Sequence, residues 1–234
     1  MLRITSIEPQ KTLRLRSGRR FNIFLDGIFA FSADEDLIVE YRLTMGKEID
    51  KPQLEKLLFE AEVGKLMERM YRLFSIRQRS EREVRNYFRV KNAELKIKDK
   101  ESVSDLAIDL LIQKLKQKGL INDEQFAKAW VEARRKSKNK GKIALQTELF
   151  QKGIDRETIA NLLAEQTAAG EQALAQQALE KKLKSWKSLP ILEFKKKAYA
   201  FLLRRGFEYS IVREIVEKIS KKIYNMDAWD EGSD

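Results

Sequence analysis

A short phrase recurs three times along this chain, about 50 to 60 residues apart. It reads basic residue, turn residue, then the opening of a new apolar helical segment. The copies are Lys91-Asn92, Lys152-Gly153-Ile154 and Arg205-Gly206-Phe207. The last two superimpose beyond the turn. Leu149-Phe150-Gln151-Lys152-Gly153-Ile154 lies over Leu202-Leu203-Arg204-Arg205-Gly206-Phe207, and Ile159, Leu162 and Leu163 fall over Val212, Ile215 and Val216. Self-similarity at such a period marks a tandem array in which each unit buries its apolar face partly against a neighbour. An array offers an extended surface to a long partner, where a single globule more often offers one pocket.

Strand patterning precedes the array. Phe21, Ile23 and Leu25 alternate with Asn22 and Phe24, and Asp26-Gly27 then leads into Ile28-Phe29-Ala30-Phe31. Asp-Gly between apolar strands predicts a hairpin, because the tight turn needs two residues at positive φ. A short helix is predicted around residues 34–41, with Asp34-Glu35-Asp36 stabilising its positive end. After Pro52 the pattern is helical throughout. The first unit carries Leu54, Leu57, Leu58, Ala61, Leu66, Met70 and Leu73 on a long helix. Ser80 and Glu83 form a capping-box pattern ahead of Val84, Tyr87 and Phe88, and Asn92 is read as the left-handed cap that ends this helix. A charged connector from Glu94 to Glu101 follows. Ser102 is then read as the cap of a third helix bearing Val103, Leu106, Leu110, Leu111 and Leu115.

The second unit presents Phe126, Ala127, Trp130 and Val131. A basic connector from Arg134 to Lys142 leads to helices over about 142–152 and 155–166. The third presents Leu179, Leu183 and Trp186, then a helix with Pro190 in its first turn that buries Phe194, Ala198, Phe201 and Leu202. Its last helix carries Ile211, Val212, Ile215, Val216 and Ile219. The expected division is 1–50 for the strand-rich extension, three-helix repeats over 51–119, 120–168 and 169–224, and an acidic tail over 225–234. Trp130 and Trp186 sit in apolar stripes and are read as core, whereas Trp229 lies in the tail.

Composition narrows the chemistry. The chain has neither cysteine nor histidine, so the usual zinc sites and Cys-His or Ser-His nucleophilic centres cannot be built. No metal and no cofactor is expected, and the chain reads as a non-enzyme. No apolar run approaches the roughly 20 residues of a membrane span, and the start lacks a secretory leader, which fits a cytoplasmic monomer. The net charge is +11 and unevenly placed. Residues 171–222 hold 13 basic against 6 acidic side chains, while 223–234 hold 4 acidic and none basic. A basic array points to a polyanionic partner.

Several phrases together resemble the RecX family of recombinase regulators. They are Arg79-Ser80-Glu81-Arg82-Glu83-Val84-Arg85, Gly119-Leu120-Ile121-Asn122-Asp123-Glu124-Gln125-Phe126-Ala127, Trp130-Val131-Glu132-Ala133-Arg134, and the Lys152 and Arg205 phrases given above. Asn122 stands where that family more often has Asp, and Asn92 stands where the other units have Gly. The resemblance implies a mainly α fold of three tandem three-helix repeats in an elongated, curved array. It also implies binding to the RecA recombinase filament, suppression of its activities and so a part in DNA recombination and repair, with weaker contact to single- or double-stranded DNA. The alternative is a helical-repeat protein whose own DNA or RNA contact is the function, since a basic three-helix unit could serve as a helix-turn-helix module.

Partner or DNA contact is expected first at the connector, where Arg134, Arg135, Lys136, Lys138, Lys140 and Lys142 put six basic residues in nine positions without a carboxylate. Such a run repels itself unless a partner offsets it. Lying outside the apolar stripes, it is expected to add little to stability. Further candidates are Lys195, Lys196 and Lys197, then Arg204 and Arg205, then Arg77, Arg79, Arg82 and Arg85. The competing readings are a solvated loop for the connector, an exposed helix face for Lys195, Lys196 and Lys197, a favourable interaction with the helix dipole for Arg204 and Arg205, and local offset of Arg82 by Glu81 and Glu83.

Overall fold

Asp26 and Gly27 both adopt positive φ, 48° and 82°, and turn strand β2 (Arg20–Leu25) back into β3 (Ile28–Asp34). The expected hairpin is therefore present in this computed structural model. It describes residues 1–10, 19–186 and 188–230, the last six of these by backbone only. The chain forms two compact units, Met1–Asn122 and Asp123–Asp234.

In the first unit, β1 (Leu2–Pro9) and β4 (Glu48–Ile49) complete an antiparallel sheet of order β3-β2-β1-β4. One face of the sheet buries Ile4, Ile23, Leu25, Phe31 and Ala33. Helix α1 (Glu35–Glu40) follows β3. Asp34 caps it by accepting the Leu37 amide at 2.9 Å, and Glu35 and Asp36 occupy its first turn, the dipole role expected for that acidic triplet. Helix α2 (Lys51–Phe74) starts at a capping box in which Asp50 and Gln53 bond each other's backbone amides. At 1.5 Å per residue it is about 36 Å long, enough to serve two cores. Leu57 and Ala61 pack on the sheet. Val63, Leu66, Met67 and Met70 pack instead with Val84 and Phe88 of α3 (Glu81–Ile97) and with α4 (Asp105–Gln117).

Four expectations fail in this unit. Asn92 does not end α3. Its side chain instead bonds both the amide and the carbonyl of Val103, at 3.0 and 2.8 Å, so the helix continues to Ile97 and stops at Asp99, with φ 55°. Lys91-Asn92 is therefore not a third copy of the turn. Helix α4 starts from Ser104, not Ser102. It buries Ala107, Ile108, Leu111, Ile112 and Leu115 and leaves Leu106 74% exposed. Leu58 of α2 is exposed as well.

The second unit comprises α5 (Asp123–Lys138), α6 (Lys142–Gln151), α7 (Arg156–Ala164), α8 (Ala168–Trp186), α9 (Ile191–Arg204) and α10 (Tyr209–Asp230). Pro190 stands at the cap of α9, one residue before its first turn. Helices α5 to α7 enclose Phe126, Ala127, Val131, Leu145, Leu149, Ile154, Ile159, Leu162 and Leu163, with Trp130 at the margin. Helices α8 to α10 enclose a larger core, including Phe194, Phe201, Phe207, Val212 and Val216, with Trp186 edge-on to Phe201. Nothing is described of the Trp229 side chain or of residues 231–234.

The two true copies of the repeated phrase are helix stops of one kind. At each, glycine takes φ above 80°. The following amide then reaches back five residues, Ile154 to Leu149 at 3.1 Å and Phe207 to Leu202 at 3.3 Å. This is the Schellman pattern, and its apolar pair explains why the phrase ends in a buried Ile or Phe. Gly206 has a second duty. A Cβ there would lie 2.2 Å from the Ala144 amide nitrogen, and one on Gly141 would lie 2.5 Å from the Gly206 oxygen. The two chains cross at these points through Gly141 N–H to Arg205 O at 2.9 Å and Ile143 N–H to Gly206 O at 3.0 Å. Gly206→Ala should therefore cost about 3 kcal/mol, combining positive-φ strain with overpacking against backbone. Gly119→Ala, at φ 67° with open space around it, should cost about 1 kcal/mol. Urea unfolding followed by circular dichroism reads both.

Candidate partner-binding surface

The basic run from Arg134 to Lys142 is not a loop. Helix α5 continues to Lys138 and ends at Asn139, whose φ of 46° turns the chain toward α6. Carboxylates remote in sequence then divide the run. Glu148 of α6 accepts from Arg134 Nε at 2.8 Å and from Trp130 Nε1 at 2.9 Å, with Lys140 Nζ at 3.4 Å. The Arg134 guanidinium also lies 4.2 Å from the centre of the Trp130 ring, a cation–π contact. Burial pushes the Glu148 carboxyl up, but the Trp130 hydrogen bond and the charges of Arg134 and Lys140 outweigh it and hold it below the ordinary value.

Glu171 of α8 forms the second anchor. It is 5% exposed, pairs with Arg135 and accepts the Lys142 amide at 3.1 Å. Gly141 has no side chain to cap α6, so Glu171 supplies the carboxylate that the positive helix end favours. The neighbouring Asn139 is buried, donates to Gln177 at 3.3 Å and accepts from Lys181 at 2.8 Å. Arg134, Arg135 and Lys140 thus hold the fold together, which corrects the expectation that this run adds little to stability. Lys136 and Lys138 remain exposed and have no ion pair among the described residues. The side chain of Lys142 is likewise unpaired among them.

The chain crossing brings a second candidate group to the first. Because Gly141 N–H bonds Arg205 O, Lys140 and Lys142 lie beside Arg204 and Arg205. Arg205 covers the Phe201 ring at 4.6 Å. Burial first, and the Arg204 charge second, lower its pKa from the ordinary value. Arg204 is exposed. Farther along α9, Lys195 pairs with Glu217 at 2.8 Å and Lys197 with Glu193 at 3.1 Å. Lys196 is exposed, with no ion pair among the described residues.

The remaining candidates belong to the first unit. Arg77 grips Glu83 through both oxygens at 2.7 and 3.1 Å. Arg85 bonds Glu81 at 2.8 Å and Asp109 at 2.7 Å, tying α3 to α4. Arg79 is half-buried, and its Nε lacks a hydrogen-bond partner among the described residues. Arg82 is exposed. Among the described residues no three acidic side chains gather as a metal site, and no helix is long and apolar enough to cross a membrane.

This architecture has known relatives. Residues 2–50 match the regulatory protein RecX N-terminal domain, 122–163 the second RecX three-helix domain and 170–216 the third. The regulatory protein RecX of Bacillus velezensis is 34% identical over 215 residues, covering 92% of this chain and 76% of that protein. The chain belongs to the RecX family of regulatory proteins. The Bacillus subtilis regulatory protein RecX is 33% identical over 216 residues, with the same coverage of both proteins. A crystal structure of a regulatory protein RecX aligns with a TM-score of 0.70 at 27% identity, covering 93% of this chain and 100% of that one. In this RecX-family chain, then, some of the basic side chains brace the helices while others face outward.

Two outcomes follow from that division. Changing Arg134, Arg135 and Lys140 together to Gln should cost about 3–5 kcal/mol, chiefly through the carboxylate left buried at Glu171. Changing Lys136 and Lys138 should stay within about 0.5 kcal/mol. Thermal unfolding of the two variants distinguishes them. Acid provides the other test. The folded-state pKa of Glu148 is depressed, so its contribution is complete above the unfolded value, about 4.3, and is lost as pH falls through the folded value. Stability of Glu148→Gln should accordingly change less than that of the parent as pH drops below about 4.3.

Proposed function

We propose that this protein is a non-catalytic regulator that binds a RecA recombinase–DNA filament and lowers its ATP turnover and strand exchange. What carries the reading is the set of exposed cations, Lys136, Lys138, Lys196 and Arg204, that no carboxylate among the described residues neutralises. They stand at helix ends and on helix faces whose cores are already complete, so core packing does not explain them. Their sign suits an assembly coated with phosphates, and membership of a family named for regulation supports the same role.

Binding alone can account for suppression. Contacts spread over neighbouring filament subunits raise the effective concentration of each further contact, so individually modest contacts combine on the assembled filament. A protein seated where DNA must enter, or one that favours subunit loss at filament ends, lowers activity without chemistry of its own. Protein–phosphate contacts also release counterions, which makes such binding weaken steeply with salt. The protein's working place on this reading is the cytoplasm.

Titrated into a DNA-dependent ATPase assay of the cognate recombinase, the protein should suppress turnover at well below one molecule per recombinase subunit. Changing Lys136, Lys138, Lys196 and Arg204 to Gln should raise the half-suppressing concentration while leaving the melting temperature nearly unchanged. The slope of log affinity against log salt should become shallower by roughly 0.7 for each lost contact to single-strand phosphate. Suppression that appears only when the protein saturates the free DNA would instead favour direct nucleic-acid binding as the function.

A further inference from the structure

The outer face of α9 and the start of α10 carry an aromatic pair that the repeat junction does not use. Tyr209 is 62% exposed. Its ring centre lies 6.0 Å from that of the half-buried Tyr199, with the planes tilted by 34°. Helical spacing sets Leu192, Lys196, Tyr199 and Leu203 along one stripe of α9, and both leucines are exposed. Arg213 stands one turn beyond Tyr209 on α10 and is exposed. Neither Lys196 nor Arg213 has an ion pair among the described residues.

The carboxylates near this face are accounted for in part. Burial first, and the Glu217 charge second, raise the Tyr199 hydroxyl above its ordinary pKa, and Glu217 is itself held by Lys195 through both oxygens, at 3.0 and 2.8 Å. Glu214 accepts from Gln172 at 2.7 Å. Glu208 precedes Tyr209 and is exposed. Scattered exposed apolar residues are ordinary on a protein surface and imply nothing. A ring pair bordered by two unpaired cations is more specific. Base–aromatic stacking tolerates any sequence because every base has a π face, and the backbone beside the stacked base needs positive charge. A duplex offers base edges in its grooves rather than free faces, and an acidic peptide would engage the cations without needing the rings.

We propose that Tyr199 and Tyr209, flanked by Lys196 and Arg213, form a binding site for single-stranded nucleic acid. An unpaired base stacks on the exposed Tyr209 ring, Tyr199 backs that ring, and the two cations hold the phosphates on either side. The inference extends the regulatory reading by giving this face of the protein one chemistry, contact with unpaired bases. It operates without the recombinase, so it stands or falls separately.

The test is anisotropy of a short fluorescein-labelled oligothymidylate titrated with the full chain, with no recombinase present. Tyr209→Ala should weaken binding about tenfold, Tyr209→Phe should stay within about twofold of the parent, and Tyr209→Leu should be as weak as Ala. Arg213→Gln should flatten the salt slope by roughly 0.7. Tyr209 is mostly outside the core, and far-ultraviolet circular dichroism checks that each variant is folded. Full binding by Tyr209→Leu would make this an apolar docking face and overturn the proposal. Displacement of the probe by oligoglutamate as readily as by unlabelled oligonucleotide would do the same, pointing to an acidic protein partner. Failure of the parent chain to bind the probe, alongside normal suppression of the recombinase ATPase, would sink this site and leave the regulatory reading intact. Loss of binding in Tyr209→Ala from a parent that suppresses nothing would keep the site and remove that reading.

Discussion

At Gly141 and Gly206 two main chains touch because neither residue has a side chain, and much of the second unit is arranged around that contact. A Cβ on either would enter the other segment's backbone. Backbone cannot step aside as a flexible side chain can, so the approach is set by the chain itself. The crossing consumes the Gly141 and Ile143 amides, two of the donors that a helix start otherwise leaves unpaired. Glu171 then takes the Lys142 amide between them. Three consecutive amides at the start of α6 are thus satisfied from the third repeat, and a helix of ten residues, short enough to be marginal alone, gains its start from a neighbour.

Carboxylates remote in sequence explain how so much positive charge is tolerated. A basic run with no carboxylate in its own sequence is repulsive if it floats in solvent. Here Arg134 and Lys140 meet Glu148, and Arg135 meets Glu171. Those carboxylates are partly withdrawn from water, so each would be costly to leave without its partner. Lys136 and Lys138, pointing outward from the last turn of α5, interact favourably with the negative end of that helix. The run is therefore divided, with Arg134, Arg135 and Lys140 held in ion pairs and Lys136 and Lys138 facing outward.

The elements readable in advance were those with a local cause. Asp26-Gly27 announces its hairpin because the turn requires positive φ. Lys152-Gly153-Ile154 and Arg205-Gly206-Phe207 announce helix stops because a left-handed cap and an apolar closing pair are written into six residues. The core stripes of α9 and α10 were legible at 3.6-residue spacing, and every predicted position is buried. Asn92 misled because a left-handed cap and a helix-borne bridge to Val103 use the same side chain. Leu106 misled because Ala107 and Ile108 complete the buried stripe of α4, and an alanine signals burial only faintly. Glu148 and Glu171 were not legible as anchors at all. They lie 14 and 36 residues from the arginines they hold, and no local pattern connects them.

That distinction between local and distant causes bears on the partner contact proposed for these cations. An exposed lysine on a flexible connector must be ordered before it can contact anything, and the lost freedom subtracts from affinity. Lys136, Lys138, Lys196 and Arg204 start instead from helices whose ends are fixed by the glycine crossing and whose inner faces are packed. Lys138 precedes a buried Asn139 that is bonded on two sides. Arg204 precedes the residue whose carbonyl Gly141 uses. Their backbones are therefore set before any partner arrives, and only the side-chain torsions remain to be ordered. A surface built in this way can draw useful affinity from few charges, provided that the residues bracing it, Gly141, Gly206, Glu148 and Glu171, are in place.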